Sequence, residues 1–166
     1  HPTSGRPYVL SIGSQAVAAR LVRSASPAKR SFTVHVICGG GSGGPVFISL
    51  VEAGCEVTAG VINIGDTDQE AAESLGIEYV EDSPFSPISE AAEKANLEFI
   101  ERADVVIVTD TPFGSGNLSN LYSAVRAADL GKPVAILGSP ASYAERDFAG
   151  GEVAEVLNSL VERGAE

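Results

Sequence analysis

The 166-residue chain holds 11 Lys and Arg against 22 Asp and Glu, a formal net charge of −11, with 44% hydrophobic and 20% charged residues. This composition is ordinary for a globular protein and argues against disorder of the whole chain. No apolar run reaches the ~20 residues of a membrane helix. The first ten residues, HPTSGRPYVL, lack the ordered charged, apolar and small-residue segments of a signal peptide, so the expected location is cytoplasmic. Cys38 and Cys55 have no CxxC spacing, which points to neither a disulfide framework nor a zinc site.

Charge divides the chain. Residues 1–31 carry Arg6, Arg20, Arg23, Lys29 and Arg30 and no acid, whereas 32–166 carry all 22 acids. The expected organisation is a basic linker or arm over 1–31, with one short basic helix near 15–23, followed by a folded domain over 32–166. The acidic balance of that domain argues against nucleic acid as its partner.

From residue 32 the pattern alternates. The run TVHVIC at 33–38 is β-branched and ends at glycine, which predicts a buried strand. The glycine cluster opens a helix in which Pro45 suits the first turn and Gly54 the stop. A second strand is expected at 56–64, a helix at 68–75 with Thr67 as N-cap, and a third strand at 77–80. After the proline loop at 83–87 comes a helix at about 88–102, a fourth strand at 104–108, a loop at 109–116 and a helix at 117–130. A fifth strand at 133–137 and a final helix near 152–163 complete the series. Regular alternation predicts an α/β, Rossmann-like, doubly wound parallel sheet of five strands in the order 3-2-1-4-5, with helices on both faces. The segment 7–12 is a candidate extra edge strand.

Ligands of such sheets bind beyond the carboxyl ends of the strands, where the winding reverses. Two glycine-rich segments converge there. Gly39, Gly40, Gly41, Ser42, Gly43 and Gly44 follow the first strand, and Pro112, Phe113, Gly114, Ser115, Gly116 and Asn117 follow the fourth. Glycine permits close backbone approach, and a helix N-terminus attracts anions. The first segment fits GxGxxG between strand and helix, and Asp66 lies 22 residues beyond Gly44, where it suits a ribose hydroxyl. Tight turns and close helix packing are the simpler role for these glycines, as helix capping is for Asp66. Asp110 and Thr111, beside Thr109, suit either a sugar or loop capping.

A P-loop is excluded, since GxxxxGK[ST] is missing and no Lys or Arg lies between Arg30 and Lys94. Only His1 and His35 are available as imidazole bases, and His35 stands mid-strand with no acid beside it, which suits a core role over a Ser-His-Asp triad. No catalytic residue and no metal ligand set is assigned.

Two family resemblances rest on these motifs. HPTSGRPYVL resembles the closing strand of ATPase subunits that import cobalamin and ferric siderophores. CGGGSGG, INIGDTD, SPFSPIS and TDTPFGSGNLSNL resemble the extra carboxyl-terminal domain of archaeal cobalamin-import ABC transporter ATPases. That resemblance implies an ATPase domain upstream, a membrane transporter as partner and a place at the inner face of the membrane. More distantly, the segment from Pro112 to Asn120 is similar to the PGGxGTxxE hallmark of the cytokinin-activating phosphoribohydrolases, the so-called lysine decarboxylase-like superfamily. Gly114 and Gly116 match, but Asn117 replaces the Thr and Asn120 the catalytic Glu, and an amide cannot act as that carboxylate.

The expected function is therefore a non-catalytic ligand-sensing or regulatory domain of a corrinoid-import ATPase. Its expected ligand is a small anion, either nucleotide-like or the phosphate of a corrinoid-related molecule. The alternatives are an enzyme acting on nucleotides or ribosyl phosphates and a structural module that forms a homodimer.

Overall fold

The computed structural model describes residues 11–12, 32–39, 41–82, 88–109 and 114–137, with Ser159 and Glu162 (backbone alone at 11–12, 63 and 114–121). In chain order the elements are β1 (Ser11–Ile12), β2 (Thr33–Ile37), α1 (Gly44–Glu52), β3 (Glu56–Asn63), α2 (Thr67–Ser74), β4 (Glu78–Asp82), α3 (Glu90–Arg102), β5 (Val105–Thr109), α4 (Gly114–Asp129) and β6 (Val134–Leu137).

Runs such as VVIVT in β5 and VAIL in β6 are buried at every position, as strands covered on both faces must be. Alternation sorts their side chains. Val34, Val36, Cys38, Val105 and Ile107 pack with Val46, Phe47 and Leu50 of α1 and Ala72 of α2. Ile37, Val106, Val108 and Ile136 pack on the opposite face with Ile100 of α3 and Ala124, Ala127 and Ala128 of α4. The sheet therefore carries a packed core on each face.

All strands are parallel, in the order β1-β6-β5-β2-β3-β4. Counted from residue 33, the five expected strands stand in the expected order 3-2-1-4-5. Ser11–Ile12 adds a sixth at the edge, paired with Ile136 and Leu137. The chain winds outward from β2 through α1 to β3 and through α2 to β4. It then returns through α3 to β5, on the other side of β2. The winding therefore reverses between β2 and β5. Their register sets Ile37 level with Val108, so both strands end at the same edge.

Several boundaries differ from expectation. α4 begins at Gly114, which places Gly114–Gly116 in its first turn and not in a loop. First-turn N–H groups have no intrahelical partner to lose, so weak helix formers are tolerated there. α2 begins at Thr67 and its N-cap is Asp66, not Thr67; a carboxylate one residue earlier reaches the Asp68 N–H at 3.0 Å. Ser89 caps α3 in the same way through the Ala92 N–H. The proline loop at 83–87 and the basic helix near 15–23 lie outside the described residues, as does the final helix apart from Ser159 and Glu162, which are helical. No helix among the described residues is long and apolar enough to cross a membrane.

Candidate functional site

The reversal edge is built by the ends of β2, β3 and β5. Ser42 ties the loop after β2 to the end of β5. Its Oγ donates to the Gly39 carbonyl at 2.7 Å and lies 2.6 Å from Thr109 Oγ1. Thr109, 2% exposed, is the last residue of β5. The glycine loop after β2 is thus held against the last residue of β5.

Within the first loop, two glycines are needed for different reasons. Gly41 takes φ +84°, and a Cβ there would stand 2.8 Å from Thr67 Oγ1. Gly43 is the N-cap of α1, and a Cβ on it would strike Cys38 at 2.7 Å from Sγ and 2.8 Å from Cβ. Close packing of α1 on β2 therefore forbids a capping side chain at 43. The expected packing role holds at this glycine.

The cap comes instead from α2. Asp68 Oδ1 accepts from both the Gly43 and the Gly44 N–H at 3.0 Å. Asp66 Oδ1 accepts from the Gly41 N–H at 3.2 Å while capping its own helix. Ser42 N–H turns back to the Gly39 carbonyl at 3.3 Å. The four described N–H groups at 41–44 are thus all engaged within the chain. Asp66, expected at a ribose hydroxyl, uses Oδ1 on the loop backbone.

Asp68 is wholly buried, and among the described residues its Oδ2 has no hydrogen-bond partner. Burial pushes its carboxyl above the usual range; the two amides oppose that shift and the Asp66 charge adds to it. Cys38 beside it is also buried, and burial followed by the Asp68 and Asp66 charges raises its thiol well above the ordinary value. It is a packing residue, not a nucleophile.

Sequence reasoning overlooked Asp68. The signal was present as the second Asp of INIGDTD, a carboxylate in a first turn close in sequence to one already singled out. Its target could not be read locally, because α1 and α2 meet only once the sheet has formed. Gly40, Asp110, Thr111, Pro112 and Phe113 lie outside the described residues. Gly114, Ser115, Gly116, Asn117 and Asn120 fall in the opening turns of α4, whose first turn carries no acid.

The edge is rich in acceptors and poor in cations. Ser42 Oγ meets a hydroxyl and a carbonyl, neither of which takes up a proton at neutral pH. His35 lies inside the sheet, with Nδ1 2.9 Å from Thr58 Oγ1 and Nε2 2.7 Å from Asn96 Oδ1. Burial lowers its pKa from 6.5 to about 4, so it is neutral and belongs to the core, as expected. Among the described residues no three His, Cys, Asp or Glu side chains converge as metal ligands. A surface groove of about 390 Å³ lies elsewhere, between α3 and α4, lined by residues including Leu97, Ile100, Tyr122 and Arg126.

Residues 57–166 match the model of the MJ0874 family. The chain belongs to that family. The match includes Asp66, Asp68 and Thr109 but not the glycine loop at 39–44. This MJ0874-family chain is 31% identical over 72 residues to protein MJ0874 of Methanocaldococcus jannaschii, covering 43% of the chain and 77% of that protein. It is 39% identical over 77 residues to the cobalamin import ATP-binding protein BtuD of Halobacterium salinarum, covering 46% of the chain. The chain spans only 19% of that relative's length. Among solved structures it is similar to glutamyl-tRNA reductase from Methanopyrus kandleri, with 16% identity and a TM-score of 0.45 over 93% of this chain and 41% of that one.

Proposed function

We propose that this MJ0874-family domain is a ligand-sensing module of a cobalamin-import ATPase, binding a nucleotide-like or phosphorylated small molecule at the reversal edge. The observation that carries the reading is the 2.6 Å contact between Ser42 and Thr109, which holds the glycine loop after β2 against the end of β5 at the winding reversal, where such sheets take ligands. The similarity to the cobalamin import protein supplies the setting. In this reading residues 1–31 form the tail of an upstream ATPase domain and 32–166 the sensor.

The ligand's anionic group sits at the N-terminus of α4, whose first turn is free of acids, and its hydroxyls or amides donate to acceptors of the β2–β3 edge. Turnover is not expected, because Asn120 stands where the phosphoribohydrolase pattern requires a carboxylate. Thermal-shift measurements on the 166-residue chain against nucleoside monophosphates, cobalamin and its nucleotide-loop fragments test the reading. A saturable rise in Tm without release of base or phosphate is the expected result. Rapid hydrolysis favours the enzyme, and no shift with any of these ligands defeats the sensing reading.

A further inference from the structure

The N-terminus of α1 needs an acceptor from outside its own sequence. Gly43 cannot carry one, because any side chain there collides with Cys38. In nucleotide-binding sheets this helix end commonly receives a ligand phosphate, held by backbone N–H groups. Here the acceptor is Asp68 Oδ1, at 3.0 Å from two successive amides, with Asp66 Oδ1 on a third.

A capping role accounts for Oδ1 but not for the whole side chain. Among the described residues Oδ2 is buried without a partner, an arrangement that costs the desolvation of a polar oxygen. A serine or threonine caps helix amides elsewhere without that cost. The aspartate differs from them in carrying a second oxygen and a charge, the features by which a carboxylate stands in for a phosphate.

We infer that Asp68 is a specificity-determining residue: a resident anion that fills the amide cradle of α1 and turns a ligand's phosphate away from it. Anionic groups are thereby confined to the α4 side of the crevice, and the α1 side takes hydrogen-bond donors. The confinement to α4 rests on the sensing reading above; the occupancy of the cradle does not.

The test uses the full 166-residue chain, labelled with ¹⁵N and titrated with inorganic phosphate at neutral pH. In the wild type the Gly43 and Gly44 amide signals stay in place at millimolar phosphate. In Asp68→Ala they shift saturably, with at least about a tenfold gain in phosphate affinity, and formate, which matches the deleted carboxylate, also shifts them and raises the Tm of the variant alone. Asp68→Ser, whose shorter and uncharged side chain keeps a polar group between the helices but withdraws it from the cradle, is the second variant should the alanine fail to fold, and it also gains phosphate binding. Phosphate that moves the wild-type amides as readily as those of the variants overturns the inference. So does a folded variant in which phosphate moves neither amide. A wild type that binds none of the nucleotides or corrinoids above defeats the sensing reading and leaves this result standing, because the titration reads the cradle itself.

Discussion

The two faces of the sheet each bury an ionisable side chain, and they treat it in opposite ways. On the α3–α4 face His35 is enclosed with both ring nitrogens engaged, and Asn96 passes the chain of hydrogen bonds on to Ser123 Oγ at 3.3 Å. On the α1–α2 face Asp68 is equally buried, with one oxygen on two amides and the other on nothing among the described residues. A closed polar network specifies a core; a half-closed one marks a place where structure has yielded to another demand. By this criterion the His35 network is architecture, and Asp68 is the place to look for a second demand.

The difference has a sign in pH. His35 has a folded pKa of about 4 against 6.5 unfolded, so the folded state binds fewer protons between these values. Its contribution is complete above pH 6.5 and is lost as the pH falls toward 4, by roughly 3 kcal/mol in all. Asp68, with its pKa raised, acts in reverse: its contribution is present below the unfolded value and is lost as the pH rises through the folded one. Urea denaturation between pH 7 and 4 measures the sum. The wild type is expected to lose stability on acidification through this window, and His35→Gln to lose most of that slope. A slope unchanged in His35→Gln would break the comparison on its stronger side.

A smaller effect is expected from opening the closed network. Asn96→Leu removes the acceptor for His35 Nε2 and leaves a buried donor unpaired, at a cost of about 1–3 kcal/mol in urea unfolding. A change below 0.5 kcal/mol would be the size expected for an ordinary surface substitution and would show that the network is not structural (surface changes lie within about ±0.5 kcal/mol). The smallest effect belongs to the crevice itself. Ser42→Ala removes one hydroxyl pair and the bond to the Gly39 carbonyl, for about 1 kcal/mol or less of stability. It should nevertheless weaken binding of any ligand found by the thermal-shift screen, because the two segments are then less firmly held together. Equal affinity in Ser42→Ala would detach Ser42 from the site.

The sheet was legible in the sequence because its signals are local. TVHVI, VVIVT and VAIL are short, largely β-branched and apolar runs, as doubly covered strands are, and glycine punctuates most of the strand–helix junctions. Strand order then followed from handed crossovers. The point where the winding reverses, between β2 and β5, was equally legible, since it depends on that order. The chemistry of its first loop was not. GxGxxG shows that a backbone comes close to something, and here the partners are Asp66 and Asp68 at the start of α2 and Cys38 beneath. That assignment needs the distance between two helix ends, which no spacing within either helix contains. The start of α4 was misplaced for a related reason: Gly114 and Gly116 weigh against a helix interior but not against a first turn.

The short strand at Ser11–Ile12 has a consequence for how this domain behaves when handled as a fragment. It lies along β6, whose four residues, Val134–Leu137, are all apolar and buried. Cutting the chain at the charge break near residue 31 leaves the five remaining strands in order but strips β6 of its neighbour. The exposed row of unpaired N–H and C=O groups beside an apolar strand is a template for a second molecule's strand. A chain trimmed there is expected to self-associate more readily than the 166-residue chain, a difference that gel filtration of the two would read.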